Sequence, residues 1–440
     1  MSAIHHLKGL EILDSRGRPT VQATCQLGSG VTATVSVPSG ASKGAAEAVE
    51  LRDGDIKRYR GMGARRAAGH VSGPLNKALA GQSFESQAHL DRTLIALDGT
   101  ANKSRLGANA ILAVSLAFAR ARASERGIPL YDYLAEMTGA TPALPRPTIN
   151  LFSGGQHAGG QVAIQDVLIV PLSSTTMADT MAMAVEVFQC AAELVQARYG
   201  MRLLTADEGG LAPPFENLAA IFTLAVDAIQ RAGLRLQTDV ALAVDVAASH
   251  FYRDGLYHLE DRPLTAAEMI AVLSDWTEQY GITSIEDGLA EEDWDNWRVL
   301  YQALGASARI MGDDLLCTQP ARIRQAIDRQ AANALLLKVN QIGTLSEAAV
   351  ANQLARAAGW QVTVSARSGE TEDNWLADLA VGWSADHIKI GSVTQSERLA
   401  KYNRLLTIEA EGGLRMRPLP FAGGPDPYAK GATEDSRPLR

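Results

Sequence analysis

The chain has 440 residues, 46% hydrophobic and 20% charged, which is too long for one ordinary core and excludes disorder as the main state. With 41 basic against 49 acidic residues the formal charge is −8, so no general attraction to nucleic acid or anionic membrane is expected, and anion binding has to come from a local cluster of cations. Cys25, Cys190 and Cys317 stand far apart with no CxxC pair, which argues against a disulfide framework or a structural zinc site and fits a reducing compartment.

The opening stretch MSAIHHLKGLEILDSRG lacks the apolar run of a signal peptide, and a cytoplasmic protein is expected. Residues 10–37 alternate apolar and polar around Gly28–Gly30, the pattern of an antiparallel hairpin. Within it GSGVTA matches a dinucleotide fingerprint, but the strand pattern VTATVSVP follows where a helix is required. PSGASKG at 38–44 lacks the GK[ST] ending of a phosphate loop and reads as a mobile turn or lid. From 57 to 137 the pattern is helical, and its most apolar segment, AILAVSLAFA at 110–119, is about half a membrane span. These features predict an N-terminal α+β domain over 1–137. Thr138–Pro147 (TGATPALPRP) reads as a linker, and 424–440 as a loose polar tail.

Over 148–423 short apolar runs alternate with helical segments. Several carry an ionisable residue at or near the C-terminal end: Asp245, Glu286, Asp313, Lys338, Arg367 and Lys389. Most spacings are in the twenties, enough for one strand, one helix and two loops. A parallel (β/α)8 barrel brings such strand ends together on one face. Three convergent carboxylates, Asp245, Glu286 and Asp313, would repel one another without a cation, and an all-oxygen set suits Mg²⁺ rather than zinc. Lys338, within ALLLKVN, is either a base whose pKa is lowered by burial and nearby cations or a structural lysine paired to a carboxylate. Arg367, Ser368 and Lys389 suit a phosphate or carboxylate. Glu208 in ADEGG and His157 in GGQHAGG are, taken singly, either turn residues or site residues.

The chain resembles the enolase family from about Gly9 to Gly423, through DSRGRPTV, VPSGASKG, ELRDGD, LDGTANKSRLGANAILAVSLA, GGQHAGG, ADEGGLAP, SIEDG, GDDLLCT, LLLKVNQIGTLSEA, RSGETEDNWLADLAVG and SERLAKYN. The resemblance implies an enolase-type barrel with an N-terminal capping domain and a homodimer through that domain. It implies two Mg²⁺ ions, the first on Asp245, Glu286 and Asp313 and the second helped by Ser42. Lys338 matches the base that takes the α-proton, and Glu208 the acid that assists the leaving β-hydroxyl. Gln165, His157, Arg367, Ser368 and Lys389 match substrate contacts. The implied partner is a small phosphorylated or phosphonate carboxylic acid.

The chain also departs from that pattern. Ala366 stands where the family has a histidine before the Arg-Ser pair. Asp166 replaces the glutamate that partners the catalytic acid, and Ser153, Gln156, Gly288 and Ile390 are further changes. A carboxylate one methylene shorter is displaced by about 1 Å, which can cost on the order of 10²-fold in rate. Several changes on one side of the site suggest a specialised paralogue. The alternatives are an ordinary glycolytic enolase, a carboxyphosphonoenolpyruvate synthase-type enzyme of phosphonate biosynthesis, and a non-catalytic binding protein.

Overall fold

The computed structural model describes residues 3–41, 43–200, 203–260 and 262–418. Ser42, expected at the second metal, and the tail from 424 onward lie outside the described residues, and nothing about the His157 side chain is described.

Strands β1 (Ile4–Leu13), β2 (Pro19–Leu27) and β3 (Thr32–Ser36) form an antiparallel meander. The expected hairpin is thus its second and third strands. Gly30, at φ 89°, supplies the left-handed turn conformation that residues with a Cβ rarely adopt. The helix Ala108–Arg126 lies across β2 and β3 with 14 of its 19 residues buried. That accounts for the apolar run at 110–119: it is a core helix covered on nearly all sides. No helix among the described residues is long and apolar enough to cross a membrane.

The helix Leu130–Thr138 stops at Gly139, which adopts φ 70°. The first barrel strand, β4 (Arg146–Ser153), already contains Arg146 and Pro147, two residues assigned above to the linker. Next come β5 (Asp166–Pro171) and β6 (Val240–Asp245), then a small antiparallel sheet of β7 (Tyr252–Arg253), β8 (Leu256–Leu259) and β9 (Arg262–Leu264). The barrel continues with β10 (Ile282–Glu286), β11 (Arg309–Gly312), β12 (Ala334–Leu337), β13 (Gln361–Ser365) and β14 (His387–Gly391). It closes β14 against β4.

The barrel has eight strands, as expected, but is not uniformly parallel, because β5 runs antiparallel to both β4 and β6. The reason is the connection. A parallel return needs a crossover, usually a full helix, whereas only a glycine-rich loop with one short 3₁₀ turn separates β4 from β5. Reversal of β5 puts its first residue, Asp166, on the rim where the other strands end.

Of the 38–44 segment, expected to be a mobile turn or lid, the described residues Ser39, Ala41 and Gly44 lie against the barrel. Ser39 exchanges backbone hydrogen bonds with Gly369, and the Ala41 N–H donates to Ser368 Oγ at 3.0 Å. A Cβ on Gly44 would sit 2.4 Å from Cys317 Sγ, so only glycine permits this approach.

Candidate active site at the barrel rim

Neighbouring strands place the acidic residues side by side: Ser153 pairs with Asp166, Asp166 with Asp245, and Asp245 with Glu286. Asp313 follows the last residue of β11, Lys338 follows β12, Ala366 and Arg367 follow β13, and Lys389 lies within β14. All of these except Lys338 are buried, and Lys338 keeps only 11% of its side chain exposed.

Lys389 Nζ is the hub. It donates to Asp245 Oδ2 at 2.9 Å and to both Glu286 oxygens at 2.8 Å. Burial works against its ammonium, but Asp245, Glu286, Asp166 and Glu208 outweigh burial and hold its pKa well above the usual lysine range. Burial likewise works against the Asp245 carboxylate, yet Lys389 holds it down at about 2. Glu286 goes the other way: burial and the adjacent Asp245 push its carboxyl well above the usual range despite Lys389. The rim therefore holds more buried negative charge than its lysines neutralise.

Lys338 Nζ bonds Asp313 Oδ2, while Gln341 donates to Asp313 Oδ1 at 2.8 Å. The sequence allows Lys338 to be either a base of lowered pKa or a lysine paired to a carboxylate, and the structure shows the pairing. Burial does pull its pKa down, but Asp313 and Glu286 outweigh both burial and the cations Arg367 and Lys389, so the net shift is upward. The residues nearest a buried group decide its proton affinity, and they cannot be ranked from strand spacing.

On the opposite side, the Ser153 hydroxyl donates to Asp166 Oδ1 at 2.6 Å, and Asn150 Nδ2 donates to Glu208 Oε2 at 3.2 Å. The glycine pair after Glu208 lets its loop press onto the barrel. A Cβ on Gly209 would meet Thr394 Oγ1 at 2.6 Å, and one on Gly210 would meet Ser153 Oγ at 2.4 Å. The approach made possible by these glycines is thus to protein side chains. Gln165 donates to Asp245 Oδ2 at 2.9 Å.

Arg367 and Ser368 join the two domains. The Arg367 guanidinium forks onto Glu47 at 3.1 and 3.2 Å and reaches Asn340 Oδ1 at 3.0 Å. Burial opposes its charge, but Glu47 and Asp313 win and raise its pKa. Ser368 Oγ accepts from Arg16 Nη1 at 2.9 Å. Ala366 is buried directly before this pair, its N–H donating to Lys389 O at 2.8 Å.

Sequence reasoning missed Glu47, Arg16, Asn150, Gln341 and Asp287. The last lies in SIED, one residue past Glu286, and holds the left-handed conformation at φ 44°. Its two oxygens accept the Asp313 and Asp314 N–H groups at 2.9 and 2.8 Å, so Asp287 braces the loop that carries Asp313. Asp287, Asp313 and Asp314 also have ligand atoms within 4.8 Å of one another. Asp287 is engaged by backbone donors, while the oxygens of the expected set, which shares Asp313 with this trio, are engaged by Lys389, Lys338, Gln165 and Gln341. That set, Asp245, Glu286 and Asp313, offers oxygen donors alone and surplus buried negative charge. Beside it, the buried Gln165 Oε1 has no hydrogen-bond partner among the described residues. These features fit a hard divalent cation such as Mg²⁺.

Comparison with known families gives two matches. The profile of the enolase N-terminal domain matches residues 4–134, and that of the enolase C-terminal TIM barrel domain matches residues 141–418.

Proposed function

The chain belongs to the enolase family, and on that premise we propose that it removes the α-proton of 2-phosphoglycerate or a close phosphorylated or phosphonate analogue, in a Mg²⁺-dependent reaction, as a specialised paralogue. Membership alone supports the coarser reading, a lyase-type enzyme of the enolase superfamily. The observation that carries the finer one is the two-sided rim. Two lysines, Lys338 and the buried Lys389, on three carboxylates face an acid pair, Glu208 and Asp166, each held by its own polar neighbour.

In this reading Asp245, Glu286 and Asp313 hold the first Mg²⁺, with Ser42 expected at a second, and the bound ions supply positive charge for the acid's developing enolate. Lys338 Nζ is assigned the α-proton, a role that needs its neutral amine and therefore release of the ion pair with Asp313 that now holds its ammonium, while Gln341 keeps the Asp313 carboxylate in place. Lys389 holds the substrate carboxylate from the β14 side. Glu208, positioned by Asn150, delivers a proton to the departing β-oxygen. Arg367 and Ser368 hold the phosphate, with Gln165 and His157 as further contacts, and the docked residues Ser39 and Ala41 limit water access.

Ala366 and the Ser153–Asp166 pair favour specialisation. A methyl group leaves room beside Arg367 where the family carries a ring, and the shortened acid partner is met by a serine. Leu10 and Leu13, 51% and 53% exposed on β1, suit the expected homodimer through the N-terminal sheet, and a cytoplasmic location remains part of this proposal. The test is turnover of 2-phosphoglycerate with Mg²⁺, followed by absorbance of the enol phosphate. The specialised reading expects a rate far below that of an ordinary glycolytic enzyme. A rate of hundreds per second, within the common range for enzymes, overturns it.

A further inference from the structure

The opposite mouth of the barrel, where the parallel strands begin, opens into a cavity of about 690 Å³. Arg146 at the start of β4, Arg309 at the start of β11 and His387 at the start of β14 line it, together with the apolar Val170, Leu172 and Met416. Between this cavity and the catalytic rim lies a void of only about 10 Å³, room for roughly one water. The two mouths are therefore separate sites.

Among the described residues, guanidiniums outnumber carboxylates at this mouth. Asp386 serves two guanidiniums, Arg356 at 2.6 Å and Arg417 at 2.8 Å. Arg146 and Arg309 have no carboxylate within 4.0 Å among the described residues. Arg146 is 4% exposed. Its terminal nitrogens donate to the Pro171 and Ser174 carbonyls, and its buried Nε has no hydrogen-bond partner among the described residues. Arg309 gives Nη1 to Gln361 Oε1 at 3.2 Å and to His387 Nε2, whereas its Nε and Nη2 donate to no described residue. His387 brings no negative charge: burial and the cations Arg309, Arg146 and Arg356 push its pKa well below 6.5, leaving a neutral ring. Its Nδ1 lies 3.3 Å from Thr148 Oγ1.

A guanidinium drawn from water without a counter-charge is costly unless an anion meets it. Here two guanidiniums with no carboxylate in direct contact among the described residues, Arg309 feeling only the more distant Asp386 and keeping free donors, face a cavity whose remaining wall is largely carbon. We propose that this mouth binds a small organic carboxylate, its charged end on the free Arg309 donors within the field of Arg146 and its carbon chain against Val170, Leu172 and Met416.

The test is calorimetric titration of the full-length protein with hexanoate, with inorganic phosphate in parallel. Saturable one-to-one hexanoate binding is expected, weakened about tenfold or more by Arg309→Gln and held within about twofold by Arg367→Gln at the other mouth, tenfold being about 1.4 kcal/mol. Thr283→Phe fills the same cavity without altering charge and should also abolish binding, which decides the matter if Arg309→Gln does not fold. Absence of hexanoate binding, phosphate binding without hexanoate, or loss through Arg367→Gln alone would each overturn the proposal.

Discussion

The Ser153 hydroxyl donates to the Asp166 carboxylate across 2.6 Å, tying the last residue of β4 to the first residue of β5. Both residues stand where the resemblance to enolases implies a different one, and they touch each other. The serine supplies a donor to the shortened acid, and Gly210 packs so closely that a Cβ there would meet Ser153 Oγ at 2.4 Å, so the serine has no room on that side to move away from a longer acid.

Asp166→Glu alone should therefore overpack the pair and destabilise the protein by about 1–3 kcal/mol instead of repairing the site. Ser153→Ala should cost about 1–2 kcal/mol through the lost hydrogen bond. A double-mutant cycle of Ser153→Ala with Asp166→Asn, followed by urea unfolding, is expected to show coupling of about 1 kcal/mol. Additive effects would mean that the two changes are unrelated.

Ala366→His returns a ring to the buried position before Arg367. If that vacancy diverts the enzyme from 2-phosphoglycerate, the substitution should raise 2-phosphoglycerate turnover at least several-fold, mainly through KM. Unchanged kinetics in a folded variant would contradict the role assigned to Ala366.

Mg²⁺ should stabilise the fold, since it relieves repulsion among Asp245, Glu286 and Asp313. At a concentration 100 times its Kd the gain is about 2.7 kcal/mol, visible as a rise in Tm over an EDTA-treated sample. Asp313→Asn should lose most of the rise. An equal rise in that variant would place the ion elsewhere.

His387 makes stability pH-dependent. Its folded pKa lies well below 6.5 because burial and three arginines disfavour the imidazolium. The unfolded chain takes up this proton first, so its contribution is intact above about pH 6.5. It is lost as pH falls below that value toward the folded pKa, at up to about 1.4 kcal/mol per pH unit. Chemical denaturation at pH 7 and 5.5 should show this loss, and His387→Gln should reduce it by about the amount that one proton supplies.

The strand-end residues were legible because an ionisable side chain closing an apolar run stands out against its neighbours. Asp166 was legible only through the family pattern: its place on the rim depends on the reversal of β5, and the run VAIQDVLIV looks the same in either direction. The Arg367–Glu47 fork joins residues 320 positions apart in different domains, a contact that no local pattern encodes. Asp287 was hidden next to Glu286, since spacing does not tell a carboxylate facing the centre from one that braces a loop. The upward shift of Lys338 belongs to the same class, being set by which charges stand closest.

The central claim is α-proton abstraction at this rim, and proton exchange measures it most directly. With 2-phosphoglycerate and Mg²⁺ in D₂O, NMR should show deuterium entering the α-position faster than the enol product accumulates. The exchange should stop without Mg²⁺ and in Lys338→Ala. Absence of exchange in the intact protein, or exchange that persists in Lys338→Ala, would contradict the account.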